Sequence, residues 1–297
     1  MKKLLFIVSL LTVFIIPLVA GSEIKHVILI GADGMGSFIL NQHKGNFPHL
    51  EKMMNEGAST LEMRSVLPSS SAVNWASHLM GAGPELHGYT DWGSKVPELP
   101  SRETGKYGLF PGIFGLMRDH YPAAEAGVIY SWEGIGYLYE QSAVNFNDFK
   151  KDNDDDVLKS AINYLSEKKP LLSFIYFSQP DGAGHKMGWG SPEYLEACKK
   201  IDAQVGEILN FLKSSGMDKN SIVIFTSDHG GIEKGHGGKT MQEMQVPYIL
   251  WGKNIKKNYI IPESTMVYDN AATLAYILGL TPPQVWIGRP ITSVFSE

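Results

Sequence analysis

HVILIGAD (26–33) is the stretch on which the fold turns. Its run HVILIG (26–31) is continuous, apolar and rich in Val and Ile, which predicts a strand buried on both faces, as in a parallel sheet. Further strands are expected at STLEMRSV (59–66), AGVIYSW (126–132), LLSFIYFS (171–178), SIVIFTSD (221–228) and VPYILWG (246–252). Between them lie helical patterns at 47–57, 71–81, about 153–168, 191–216 and 269–279. The long one begins near Pro192 and stops at Gly216, in keeping with the proline-in, glycine-out asymmetry of helices. Strands alternating with helices predict an α/β fold with three αβα layers and a mostly parallel central sheet. The segment of about 83–125, rich in Gly and Pro and poor in periodicity, is expected to be an insertion or lid within one domain spanning 23–297.

The 297 residues are 43% apolar and 19% charged, the balance of an ordinary globular chain rather than a disordered one. A net charge of −5 without a basic cluster argues against nucleic acid and membrane-surface binding. The opening MKKLLFIVSLLTVFIIPLVAGS places two lysines, an apolar core and small residues in the order of a secretory signal peptide, expected over 1–22. An uncleaved membrane anchor is the alternative, disfavoured by Pro17 and the small residues after it. No cysteine follows the apolar core, so a lipoprotein anchor is not expected, and the chain is read as exported to the periplasm or secreted. Cys198 is the only cysteine, so no internal disulfide can form.

Three strands run into aspartates: HVILIGAD at Asp33, LLSFIYFSQPD at Asp181 and SIVIFTSD at Asp228. In open α/β sheets, the loops past the carboxyl ends of the strands share one edge and bind ligands there. A single such Asp is more often a turn or a helix cap. Here His185 follows Asp181 by four positions and His229 adjoins Asp228. His236 sits in a turn with five glycines between residues 230 and 238. Imidazole with carboxylate and no thiolate suits a divalent transition ion, and fits two-metal hydrolysis. LPSSSAVNWASH (67–78) adds hydroxyls at a helix N-terminus, where backbone N–H groups and the helix dipole favour negative charge. A plain serine cap explains that stretch equally well.

Taken in order, Asp33, the serine motif, Asp181-x3-His185, Asp228-His229 and His236 resemble the alkaline phosphatase superfamily, and within it the nucleotide pyrophosphatase/phosphodiesterase branch. The resemblance runs from about 24 to 290 and includes PSSSAVNWASHLMGAGPELHG (68–88) and FPHLEKMMNEGA (47–58). It implies an alkaline-phosphatase-like fold and two divalent metal ions, zinc or alternatively manganese. By this resemblance Asp181, His185 and His236 would hold one ion. Asp33, Asp228 and His229 would hold the other, with Ser71 bridging to it as nucleophile. Asn74 takes the oxyanion-binding position. Two positions depart from the branch. Ala72 follows the nucleophile where an aromatic residue often helps hold a base. His236 lies only seven positions after His229, where larger nucleotide-cleaving members carry a long insertion.

The implied reaction is in-line displacement on a small-molecule phosphate ester. Ser71 attacks, Asn74 and the Ala72 backbone N–H receive charge on the non-bridging oxygens, and a phosphoserine forms and is hydrolysed. Phosphomonoesterase is the alternative within the superfamily. A sulfatase would show Cys or Ser followed by x-Pro-x-Arg, which Ala72-Val73-Asn74-Trp75 does not match. Export and small size disfavour a phosphosugar mutase. A non-catalytic metal- or phosphate-binding protein is the reading from a different class. GADGMG (31–36) does not space its glycines as a dinucleotide loop does, and Asp152-x-Asp154-x-Asp156 lacks the glycine and closing Glu of a calcium loop.

Overall fold

The computed structural model describes residues 24–296 of the chain; the signal peptide expected over 1–22 lies outside the described residues. Eight strands form one sheet: β1 (His26–Ala32), β2 (Ala58–Arg64), β3 (Ala126–Tyr130), β4 (Phe146–Phe149), β5 (Leu172–Phe177), β6 (Ser221–Thr226), β7 (Gln245–Gly252) and β8 (Tyr259–Ile260). Their order is β4-β3-β5-β1-β6-β7-β2-β8. The sheet is mostly parallel, as expected; β7 runs antiparallel to both β6 and β2.

HVILIG owes its continuous hydrophobicity to its position. β1 lies between β5 and β6, and its side chains alternate between two apolar layers. Val27 and Leu29 enter one, Ile28 and Ile30 the other, all essentially without exposure. Burying each such side chain contributes about 1.5–3 kcal/mol. The first layer is covered by helices Ser71–Met80, Ile113–His120 and Asp269–Ile277, and the second by Pro48–Glu56, Asp154–Lys168 and Pro192–Ser215. The long helix starts where Ser191 accepts the Tyr194 N–H and stops at Gly216 with φ +74°.

Strands β4 and β8 were not expected from the sequence; FNDF and YI are too short and too polar or isolated to show a period. The segment 83–125 is less loose than its composition implies. It carries helices Pro84–His87 and Ile113–His120, and Tyr89, Phe110 and Phe114 are buried in the core.

The Pro48–Glu56 helix has no cap of its own, because Phe47 precedes it. Asp202, on the long helix and only 2% exposed, accepts the His49 and Leu50 N–H groups at 3.1 and 2.8 Å. It caps from a distance the N-terminus of this helix, whose other end leads through Gly57 into β2. Asp202→Ala is expected to lower stability by about 1–3 kcal/mol. Urea unfolding at fixed metal concentration measures this, and an unchanged midpoint with unchanged slope would remove the role.

Candidate metal centre

Because β5, β1 and β6 are parallel neighbours, their carboxyl ends open at one place. The Asp33 N–H donates to the Phe177 carbonyl at 2.9 Å, and the Asp181 N–H to the Asp33 carbonyl at 3.0 Å. Gly34 makes the close approach feasible. It has φ +71°, and a Cβ there would fall 2.9 Å from the Asp181 backbone. Its N–H donates to Asp228 Oδ1 at 3.0 Å. Asp181 opens a short helix, Asp181–Met187, so His185 lies one turn on and on the same face. Its Nε2 is 3.5 Å from Asp181 Oδ1.

The glycine-rich loop returns His236 to His229. Gly230 passes so close to the Gln242 carbonyl that a Cβ would lie 2.1 Å from it. The loop is tied down by Ser69 Oγ donating to the Gly238 carbonyl and by the Gly238 N–H donating to Glu243 Oε1, at 2.7 and 2.8 Å. The His229 and His236 rings stack at 3.8 Å between centroids. Loose composition thus serves a tightly folded turn.

Two groups of three ligand-bearing side chains result: Asp181, His185 and His236, and Asp33, Asp228 and His229. The second is dry, with Asp228 and His229 at 0% exposure, whereas the His185 side chain is 48% exposed. All three histidines have Nδ1 against a backbone carbonyl: His229 on Gly230 at 2.7 Å, His236 on Ser69 at 3.0 Å and His185 on Lys234 at 3.0 Å. Nδ1 must therefore carry a proton on each ring, which leaves Nε2 as the atom aimed inward. Burial pushes His229 down to about 3 and His236 to about 4, so both are neutral. The Nε2 atoms of His185 and His236 face each other at 3.1 Å.

The carboxylates tell the same story. Burial, reinforced by the neighbouring Asp33 charge, drives Asp181 and Asp228 well above the usual carboxylate range. Burial raises Asp33 as well. Asp181 Oδ1 and Asp228 Oδ2 are buried without a hydrogen-bond donor. Converging lone pairs and unpartnered anionic oxygens call for cations. The spacing fits: atoms around a tetrahedral ion at about 2.1 Å lie roughly 3.4 Å apart. Here the contacts are 3.1, 3.5 and 3.7 Å in one group, and 3.2 and 3.5 Å in the other.

Ser71 is the first residue of its helix, and its Oγ is 3.2 Å from His229 Nε2 and 3.4 Å from Asp33 Oδ1. The two expected oxyanion donors are engaged elsewhere. Asn74 is fully buried: its Oδ1 accepts the Val66 N–H at 2.7 Å, and its Nδ2 donates to the Pro68 and Ser70 carbonyls at 3.1 and 3.0 Å. It staples the loop that delivers Ser71 and has no donor left for a substrate. The Ala72 N–H donates to the Trp92 carbonyl at 3.1 Å. Both oxyanion assignments are therefore corrected.

Several positioning residues escaped the sequence reading. Trp75 Nε1 donates to Asp33 Oδ2 at 3.1 Å, and the Tyr176 hydroxyl donates to the same oxygen. Asp154 accepts the Ser178 and Gln179 N–H groups at 3.0 and 3.1 Å and so fixes the turn before Asp181. A cavity of about 840 Å³ opens over Ser71 and both groups. Its other lining includes Asp91, Trp92, Trp132, Asp152 and Gln179.

The family model for type I phosphodiesterase / nucleotide pyrophosphatase matches residues 27–237. The chain belongs to that family. Among curated relatives, mouse ectonucleotide pyrophosphatase/phosphodiesterase family member 1 is 28% identical over 222 residues, covering 68% of this chain and 24% of the relative. Human bis(5'-adenosyl)-triphosphatase ENPP4 is 25% identical over 233 residues, covering 68% of this chain and 47% of the relative. The chain thus spans a quarter to a half of these relatives' length. Among solved structures, murine ENPP5 superposes with a TM-score of 0.74 at 16% identity, over 92% of this chain and all of that one. A 2-O GAG sulfatase gives 0.73 at 16% identity, over 90% and 73%. The fold is therefore shared by phosphodiesterase-family proteins and a sulfatase alike.

In this member of the family, Tyr176→Phe removes one donor from Asp33 without changing shape. It is expected to weaken metal binding at the dry group about 10–100-fold. Titration of metal-free protein against a competing chelator reads the change, and equal affinity would leave Tyr176 with a packing role only.

Proposed function

We propose that this chain is an exported phosphohydrolase holding two divalent ions, most suitably zinc, that cleaves phosphodiester or pyrophosphate bonds through a phosphoserine on Ser71. The observation that carries this reading is the match between ligand-atom spacing and ion geometry in two adjoining groups beside one hydroxyl. Mixed imidazole and carboxylate donors suit zinc, with manganese as the alternative. Family membership supports the reaction class. Relatives carry the names nucleotide pyrophosphatase/phosphodiesterase, bis(5'-adenosyl)-triphosphatase and venom phosphodiesterase. One murine ENPP5 structure is of an inactive form in complex with AMP.

Bound cations would lower the Ser71 pKa and neutralise charge on the phosphoryl group. The chain's own residues do the rest. The loop stapled by Asn74 holds Ser71 at the helix N-terminus, where the dipole favours its anion. Ser71 Oγ bonds to phosphorus as the bond to the leaving oxygen breaks. Water then displaces Ser71, and two displacements predict retention at phosphorus. Asp33 is held in place by Trp75 and Tyr176, and Asp181 by the turn that Asp154 anchors.

A diester is favoured over a monoester. Among the described residues lining the cavity none is Lys or Arg, while Asp91 and Asp152 are present. Beyond the bound ions, no protein cation is there to take up the second negative charge of a monoester, and the carboxylates of Asp91 and Asp152 would oppose it. Export rests on the leader-like residues 1–22 and on relatives named ectonucleotide and venom enzymes. No helix among the described residues is long and apolar enough to cross a membrane. We further propose that residues 23–297 act as one catalytic domain.

With zinc supplied, bis(p-nitrophenyl) phosphate is expected to turn over at least tenfold faster than p-nitrophenyl phosphate, and p-nitrophenyl sulfate not measurably. Ser71→Ala should lose more than about 1,000-fold in kcat while keeping its metal content. Wild-type turnover in that variant would remove Ser71 as nucleophile; a preference for the monoester would make the chain a phosphatase.

A further inference from the structure

We propose that His78 is a positioning residue that sets the distance between Ser71 and the dry group of Asp33, Asp228 and His229. This deepens the phosphodiesterase reading and rests on it for turnover, but not for geometry. Ser71 opens the helix Ser71–Met80, and His78 stands seven positions on, two turns later and on the same face. The imidazole has no exposure. Its Nε2 lies 3.0 Å from the carbonyl of Ser227, the residue before Asp228 and His229. A carbonyl only accepts, so Nε2 carries the proton and donates. Ser227 passes the constraint on: its Oγ accepts the Met35 N–H at 2.8 Å and donates to the His229 carbonyl at 3.1 Å. One ring thus ties the helix of the nucleophile to the loops that follow β1 and β6.

Packing alone does not account for a histidine here. Burial pushes His78 down to about 4, so the ring is neutral. Its Nδ1 is buried without a partner, which costs stability that an apolar side chain of similar size would not. What the imidazole supplies is the Nε2–H bond to Ser227. The ring is held where it must be to make that bond. Trp75, which donates to Asp33, lies 5.2 Å away between ring centroids. The His78 carbonyl accepts from Asn270 Nδ2 at 3.0 Å, and Asn270 Oδ1 accepts the Tyr248 hydroxyl at 3.0 Å. Asn270 comes from the helix Asp269–Ile277 and Tyr248 from β7. The path to Ser71 is therefore held at two points, by Asn74 on the turn before the helix and by His78 on the strand end that carries Asp228. A shift at His78 is carried along the helix to the Ser71 hydroxyl, 3.2 Å from His229 Nε2.

The test compares His78→Phe, which keeps a ring and loses the donor, with His78→Gln, whose Nε2 can take the place of the imidazole Nε2. With zinc supplied and bis(p-nitrophenyl) phosphate as substrate, His78→Phe should lower kcat about 10–100-fold, with KM and zinc affinity within about threefold of wild type. His78→Gln should recover kcat to within about threefold of wild type. Crystal structures of the two variants read the cause. The separation of Ser71 Oγ and His229 Nε2, 3.2 Å here, should change by about 0.5 Å or more in His78→Phe and by less than about 0.2 Å in His78→Gln. An unchanged separation or wild-type kcat in His78→Phe would overturn the role. Equal loss in both variants would overturn it too, by assigning the effect to ring packing. If the wild type turns over no diester, the phosphodiesterase reading falls, and the crystallographic separation alone decides. Should His78→Phe fail to fold, His78→Leu takes its place in both measurements.

Discussion

Six side chains drawn from positions 33 to 236 aim unshared lone pairs and anionic oxygens at two small volumes, and much of the local structure exists to hold them there. In water such an arrangement would relax by rotation or hydration. Here each imidazole is locked by its Nδ1 on a carbonyl, and two of the three carboxylates carry an oxygen with no donor. Buried carboxylates without a counter-charge take up protons instead. A cation removes that need and turns a destabilised cluster into a stabilising one, which couples folding to metal binding.

The two groups are not equivalent. The Asp33 group meets the cavity only through Asp33 and is backed by Trp75 and Tyr176, whereas the Asp181 group faces the cavity through the exposed edge of His185. A largely buried group would favour retention of a bound ion and orientation of Ser71. An open one favours contact with a substrate oxygen. The stacked rings of His229 and His236 join them, so displacement of one is felt by the other. In the proposed reaction, stabilisation of the phosphoryl oxygens would fall to bound cations, because Asn74 and the Ala72 N–H are committed to holding the loop.

Much of this was legible in the sequence because the signals were of the right kind. HVILIG, LLSFIYFS and SIVIFTSD are buried on both sides, and their neighbouring parallel placement carries the three aspartates to one edge. Asp181 and His185 share a helical face because their spacing is one turn. Asn74 misled for a similar reason: one turn after Ser71 it faces the loop before the helix, not the substrate, and only the path of residues 65–70 decides that. β4, β8 and the packing of 83–125 depend on tertiary contacts rather than periodicity. Asp154 read as an ordinary helix start, since nothing in a linear sequence tells which backbone a buried carboxylate will bind. Trp92 and Asp152, which line the cavity, lie in loops without any period at all.

A crystal structure of the zinc-loaded protein, with anomalous data collected at the zinc edge, tests the central claim most directly. Two peaks are predicted, one about 2.0–2.2 Å from His185 Nε2 and His236 Nε2, the other at the same distance from His229 Nε2. Absence of density at both positions under saturating zinc, with the six side chains still in place, would contradict the account.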